Sequence, residues 1–263
     1  MKLFLATALA VLFALPVAAW TVEQINEHIE NTNFIVANHC SGTLISVEHR
    51  LILTNNHCVE MFIKNVQRDK VKPNGEIVKV MVQEKSNVVV SQRRYDGHKP
   101  VSEASYVTEI VDRDIDRDLA LLQFRQDKIP MTIAAKLFKG DKVYRGETVY
   151  VIGNPMMLDA AITRGIISST NRLISINGVE TAYYQVDAGI VGGNSGGALY
   201  NDSGELIGVP AAGARGTSVG LAIPFGDVQE FLTELCFGSV WNELAKRPIE
   251  CKVDRATEGV DGE

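Results

Sequence analysis

The stretch that decides how this chain is read is Val186-Asp187-Ala188-Gly189-Ile190-Val191-Gly192-Gly193-Asn194-Ser195-Gly196-Gly197-Ala198-Leu199. Apolar runs enter and leave it, and a serine stands inside a cluster of glycines. Glycine permits backbone angles that a Cβ forbids and lets another chain approach closely. It also leaves N–H groups free to face a developing oxyanion. Gly-Ser-Gly occurs in plain loops as well, so this serine decides nothing alone.

Two stretches upstream complete it. Leu51-Ile52-Leu53-Thr54-Asn55-Asn56-His57-Cys58 is a strand running into a histidine, and Asp118-Leu119-Ala120-Leu121-Leu122 is an aspartate opening an apolar strand. A serine hydroxyl is a weak nucleophile at neutral pH and needs an adjacent base. The base needs a buried carboxylate to set its tautomer, and the tetrahedral intermediate needs donors for its oxyanion. His57, Asp118, Ser195 and the N–H groups of Gly193 and Ser195 fill these roles.

Around these stretches the text consists of short apolar runs broken by polar turns. The first series is Gly42–Val47, Arg50–Thr54, Ile77–Val82, Asn87–Val90, Tyr106–Val111 and Leu119–Phe124. The second is Thr148–Ile152, Ala161–Ser169, Thr181–Val186, Ala198–Leu199, Glu205–Val209 and Ser218–Ile223. Runs of this length and spacing predict an all-β sandwich or barrel. Asp202-Ser203-Gly204 is a hairpin signal. Thr21 and Gln24 form a capping-box pattern, so a short helix opens the chain after residue 20. Val228, Phe231, Leu232 and Leu235 recur at helical spacing behind Asp227, a candidate N-cap, and predict a helix near the other end.

The first nineteen residues have the pattern of an export signal. Lys2 precedes an apolar run from Leu3 to Leu15, Pro16 breaks it, and Val17 and Ala19 suit cleavage after Ala19. The run is shorter than the ~20 residues a membrane span needs. Export would put Cys40, Cys58, Cys236 and Cys251 where disulfides persist. Four cysteines allow three pairings, of which neighbours in sequence, Cys40 with Cys58 and Cys236 with Cys251, are the simplest. A zinc site is the rival, but no Cys-x-x-Cys or histidine cluster accompanies them. The chain of 263 residues is 46% hydrophobic and 22% charged with a formal charge of −6. That excludes disordered or multi-span classes and gives no reason to expect nucleic acid. The eight basic residues scattered over Lys64–Arg94 have the character of a solvated face.

With these residues in view, the sequence resembles the chymotrypsin-like (trypsin-fold) serine peptidases, most nearly the HtrA/Deg-like bacterial branch. Cys40–Ser46, Thr54–Cys58, Asp118–Leu122, Val186–Leu199, Gly204–Val209 and Gly220–Pro224 carry the resemblance. It implies two orthogonal six-stranded Greek-key barrels, His57 and Asp118 on the first (20–130) and Ser195 on the second (131–225), with a C-terminal helix and tail over 226–263. It also implies an endopeptidase without metal or cofactor, acting on protein or peptide substrates, periplasmic or secreted, with no membrane partner once the signal is removed.

Asp118 has neighbours in Asp112, Asp114 and Asp116, but Arg117 and Gln123 replace residues a calcium loop requires. By the resemblance Gly189, Ile190, Val191 and Gly192 form one wall of the specificity pocket. Gly220 faces them, and Ala211, Ala212 and Gly213 are the strand that pairs with substrate. Gly189 stands where relatives that cut after Arg or Lys place an aspartate. All five histidines precede residue 99, against a glutamate-binding histidine in the second barrel, although Arg164 or Arg215 could reach the pocket. The expectation is a small or medium apolar residue before the scissile bond. Asn194 replaces the aspartate that pairs with a freed amino terminus in pancreatic relatives, which argues against that activation route. No PDZ-length segment follows residue 235.

A silent binding module on the same scaffold is the alternative of another class. A serine esterase of another fold would also satisfy Gly193-Asn194-Ser195-Gly196-Gly197, but the order His, Asp, Ser contradicts it.

Overall fold

The computed structural model describes residues 20–240 apart from 97–98, 177–178 and 215. The signal expected over 1–19, Cys251, Arg215 and the tail beyond 240 lie outside the described residues. Helix α1 (Val22–Thr32) opens on the expected capping box: Gln24 N–H donates to Thr21 Oγ1 and Thr21 N–H to Gln24 Oε1.

Eight strands follow: β1 (Asn33–Val36), β2 (Cys40–Ser46), β3 (Leu51–Thr54), β4 (Ile63–Val71), β5 (Ile77–Lys85), β6 (Val88–Asp96), β7 (Lys99–Asp114) and β8 (Leu119–Phe124). Six of them close a barrel in the order β1-β2-β3-β8-β7-β6, while β4 and β5 pair only with each other. The second group is β9 (Lys136–Leu137), β10 (Thr148–Gly153), β11 (Ala161–Ile176), β12 (Val179–Val186), β13 (Ala198–Asn201), β14 (Glu205–Gly213) and β15 (Gly220–Pro224). Its order is β13-β10-β11-β12-β15-β14, returned to β13 by a β13–β14 pairing, with β9 parallel to the outside of β14. Two six-stranded rings are thus present, as the resemblance implied.

The continuous apolar text of β3 and β8 is explained by burial on both faces. Leu44, Ile52, Val88, Val90, Leu122 and Phe124 fill the first ring. Their neighbours Leu51, Leu53, Leu119 and Leu121 point the other way, into a cluster with Ile152, Tyr200, Val209 and Ile223 of the second ring. Helix α2 (Phe225–Glu234) caps that cluster with Phe225, Val228, Phe231 and Leu232. It starts three residues before the expected Asp227, with Pro224 as N-cap, and Asp227 falls in the first turn where a carboxylate suits the helix dipole.

The long interval between His57 and Asp118 is also accounted for. The β4–β5 hairpin is largely exposed on both faces, with Val71, Ile77 and Met81 each about two-thirds exposed. Strand β4 escaped sequence reading because neither of its faces is buried, so no alternation of polar and apolar residues marks it. The basic residues of this segment stand largely in solvent, with Arg68 paired to Glu84 and Lys72 to Glu76.

Candidate active site

Residues Thr54 of β3 and Ala120 of β8 are direct antiparallel partners. The segment leaving β3 and the one entering β8 therefore meet at one end of the pair, which brings His57 to Asp118. His57 Nδ1 lies 2.8 Å from Asp118 Oδ2, and the His57 backbone N–H donates to Asp118 Oδ1 at 2.9 Å. Asp118 holds a left-handed backbone, φ 53°, which aspartate tolerates better than most residues. Asn56 N–H and Asn55 Nδ2 both donate to its carbonyl, at 3.1 and 2.9 Å. One carboxylate thus accepts from both the backbone and the ring of His57, and with the proton on Nδ1 the ring's Nε2 is left as the acceptor.

Burial by itself pulls the His57 pKa down. The hydrogen bond and charge of Asp118, with Glu60 adding to them, more than offset it, so the pKa stands above 6.5. Cys58 is joined to Cys40, which ties β2 to the residue next to His57 and ends the zinc reading for this pair. Cys236 is disulfide-bonded as well; its expected partner lies outside the described residues.

Two of the acids before Asp118, Asp112 and Asp114, are met by cations. Asp112 lies 3.7 Å from Lys85 Nζ, and Asp114 accepts from Arg117, whose other nitrogens reach Glu230 and Glu234 of α2.

On the second ring, Val191–Asn194 is a turn closed by Asn194 N–H donating to Val191 O at 3.0 Å. Its third residue, Gly193, has φ 99°, the mark of a type II turn, and a Cβ there would collide with Asn154 O. The N–H groups of Gly193 and Ser195 have no hydrogen-bond acceptor among the described residues. Ser195 is half-buried, and its hydroxyl donates to Ala211 O at 3.2 Å rather than to His57.

An open cleft of about 590 Å³ runs past Ser195. Gly189, Ile190, Val191, Gly192, Ala211, Ala212 and Gly213 line it, and none of its described lining residues carries a charge; Arg215, between the lining residues Ala214 and Gly216, lies outside the described residues. Gly220 does not line it: this residue is buried on β15 behind Ile190, where a Cβ would press on Ile190 Cδ1. Arg164 is not in the cleft either; its guanidinium stacks over Tyr150, 5.7 Å from the ring centroid. Sequence reading missed Met156, Ala214, Gly216 and Thr217 on the rim. The only signal for Met156 was Gly153-Asn154-Pro155, a turn sequence at the end of an apolar run.

Asn194 is buried, with Nδ2 3.4 Å from Gly189 O. Far from an ion pair with this residue, the N–H of Trp20 donates to Asp202 O in the β13–β14 turn.

Comparison with known proteins agrees with this arrangement. A family model described as trypsin-like peptidase domain matches residues 40–209. The chain is 30% identical over 200 residues to the periplasmic serine endoprotease DegP of Salmonella typhimurium, covering 74% of this chain and 35% of that protein. It is 32% identical over 201 residues to the mitochondrial serine protease HTRA2 of Drosophila virilis, covering 75% of this chain and 40% of that one. To the periplasmic pH-dependent serine endoprotease DegQ of Escherichia coli it is 29% identical over 206 residues, 76% and 38%. The chain thus matches well under half the length of these relatives. With two closed rings, a His–Asp pair on one and a glycine-bound serine on the other, the chain belongs to the trypsin-like peptidase family.

Proposed function

We propose that this protein is an exported serine endopeptidase working through an acyl-enzyme. The observation that carries the reading is the two-bond contact of Asp118 with His57 in the same fold as Ser195 and two unpaired N–H groups beside it. Ser195 Oγ would attack the scissile carbonyl carbon as its proton passes to His57 Nε2. The oxyanion so formed would sit on the N–H groups of Gly193 and Ser195. His57 then returns the proton to the leaving amine, and the C–N bond breaks. Water repeats the sequence on the acyl-enzyme with His57 again as base, releasing the new carboxylate.

Ala211–Gly213, at the end of β14, offers main-chain groups for an extended peptide. The absence of charge among the described lining residues supports a small or medium apolar residue before the scissile bond, since a charged one would find no partner among them. Two of the relatives, DegP of Salmonella typhimurium and DegQ of Escherichia coli, are periplasmic by name, which supports the exported reading. No described helix is long and apolar enough to cross a membrane.

One observation favours the alternative, a silent binding module: the Ser195 hydroxyl is engaged by Ala211 O, away from the base. Catalytic hydrogen bonds of the serine–histidine kind are often made only in the substrate complex. Labelling with a fluorophosphonate separates the readings. Adduct on the purified protein and none on Ser195→Ala is expected, with turnover lowered about 10⁴-fold or more in the variant and folding intact. No adduct on the folded protein would sink the peptidase reading.

A further inference from the structure

The free N–H groups beside Ser195 owe their direction to carbonyls held elsewhere. A trans peptide points its N–H opposite to the preceding C=O, so whatever grips Gly192 O and Asn194 O aims the N–H groups of Gly193 and Ser195. Asn194 O accepts from Gly197 N–H at 3.0 Å, a bond inside the loop itself. Gly192 O accepts from Met156 N–H at 2.8 Å, a bond from the segment that follows β10.

That segment is fixed in turn by two buried side chains. Ser41 of β2 donates its hydroxyl to Gly193 O at 2.7 Å and accepts from Asn154 N–H at 2.8 Å and Asn154 Nδ2 at 3.1 Å, which fills all the places a hydroxyl has. Asn154 Nδ2 also lies 3.0 Å from Phe34 O, and Asn154 Oδ1 accepts from Asn33 Nδ2 at 3.1 Å. The Ser41 backbone N–H holds Ser195 O at 2.7 Å. Ser41 is fully buried and Asn154 nearly so. Ser41 of the first ring therefore holds two carbonyls of the serine loop, Gly193 O through its side chain and Ser195 O through its backbone.

We infer that Ser41 and Asn154 are positioning residues for the oxyanion site: a hydroxyl–amide pair, joining the two rings, that orients the Gly193 N–H from behind. Neither touches substrate. Their effect belongs to the transition state, because an N–H turned away from the oxyanion leaves the extended peptide on Ala211–Gly213 undisturbed. The inference rests on Ser195 being the nucleophile.

The test uses the full chain with Ser41→Ala and Asn154→Ala, and Ser91→Ala as control. Ser91 has an equally buried hydroxyl that lacks a partner and does not touch the loop. The kcat of Ser41→Ala should fall about 10- to 100-fold with KM within twofold, since misplacing a reacting group by about 1 Å costs on that order. A peptide aldehyde, which binds as a hemiacetal bearing the oxyanion, should weaken by a similar factor. The pH midpoint of activity should stay in place, because His57 is untouched. Asn154→Ala keeps its backbone bond to Ser41 and should show a smaller loss of the same kind; it serves alone if Ser41→Ala does not fold. Ser91→Ala should match the parent.

An unchanged kcat in both folded variants overturns the inference while the parent remains active. So does a loss confined to KM, or one that spares the aldehyde. A parent without turnover, or a Ser195→Ala variant with it, overturns the catalytic reading itself and this inference along with it.

Discussion

The two halves of the site are built by different physics. On the first ring, His57 and Asp118 meet because β3 and β8 are antiparallel neighbours, and one carboxylate makes both bonds that orient the base. On the second ring, the working groups are mostly backbone: two N–H groups in a turn whose shape depends on a glycine with φ 99° and on partners from β2 and the end of β10. A side-chain pair can be assembled from strand register alone. A backbone cradle has to be clamped from outside, and here the clamp comes from the other ring.

The contrast can be broken most sharply at the carboxylate. Asp118→Asn removes the charge and the acceptor that selects the His57 tautomer, and kcat should drop about 10⁴-fold in steady-state assays. The pH profile sharpens the same point. In the parent, activity rises as His57 loses its proton, with a midpoint above 6.5 because Asp118 raises that pKa; in the variant the midpoint of the residual activity should move down. The stability sign runs opposite: this pair contributes to folding at low pH and the contribution fades as pH rises through the raised pKa.

A smaller effect is expected where α1 lies against the second ring. His28 is packed between Trp20 and Tyr200, its Nε2 has no partner, and burial holds its pKa down to about 4. The unfolded chain therefore binds this proton first, so stability is full above pH 6.5 and falls by about 3 kcal/mol as pH drops towards 4. Urea unfolding of the parent should show that loss, and His28→Phe should flatten it. An equal pH slope in the two proteins would place the acid sensitivity elsewhere.

The smallest effect is expected at the β4–β5 hairpin, six residues past His57. Ser86 N–H donates to Phe62 O at 2.8 Å across its base, so residues 63–85 can be excised between these two ends. A lone two-stranded hairpin gains little stability in water, and the His57–Asp118 contact lies outside it. The excised protein should unfold within a few degrees of the parent and keep its kcat. A large loss would show that the first half of the site leans on this arm as the second half leans on Ser41 and Asn154.

Most strands of both rings could be read from the text because burial on one or both faces leaves apolar runs. The exceptions have two causes. Strand β4 and the outer parts of β7 and β11 are hairpin arms in solvent, where no core imposes alternation, whereas the four-residue β1 and the two-residue β9 are too short to show a period. Helix α2 was legible from Val228, Phe231, Leu232 and Leu235, while its start was misplaced because Pro224 serves as N-cap without offering a side-chain bond.

The site divides in the same way. His57, Asp118, Ser195 and Gly193, the residues of the proposed mechanism, stood out in the text as candidates, since few residue types can supply a base, its orienting carboxylate, a nucleophile and an unhindered N–H. The glycines, alanines and small apolar residues of 189–192 and 211–213 were legible only through resemblance, and Gly220 turned out to support the wall from behind. Ser41 and Asn154 carried no mark of the role proposed for them, and Met156 only the turn sequence before it. Their importance lies in which carbonyl each one faces, and that partner sits about forty residues or more away along the chain.

What the sequence by itself determined is therefore the inventory: the candidate reactive side chains, their order, the all-β character and the two series of strands. These follow from residue type and local periodicity, which short-range forces read directly. Only the tertiary structure decided the direction of the Gly193 and Ser195 N–H groups, which small and apolar residues line the cleft, and the resting place of the Ser195 hydroxyl. Each depends on hydrogen bonds between segments distant in sequence, and a polar residue's text is the same whether its partner is a carbonyl across the interface or water.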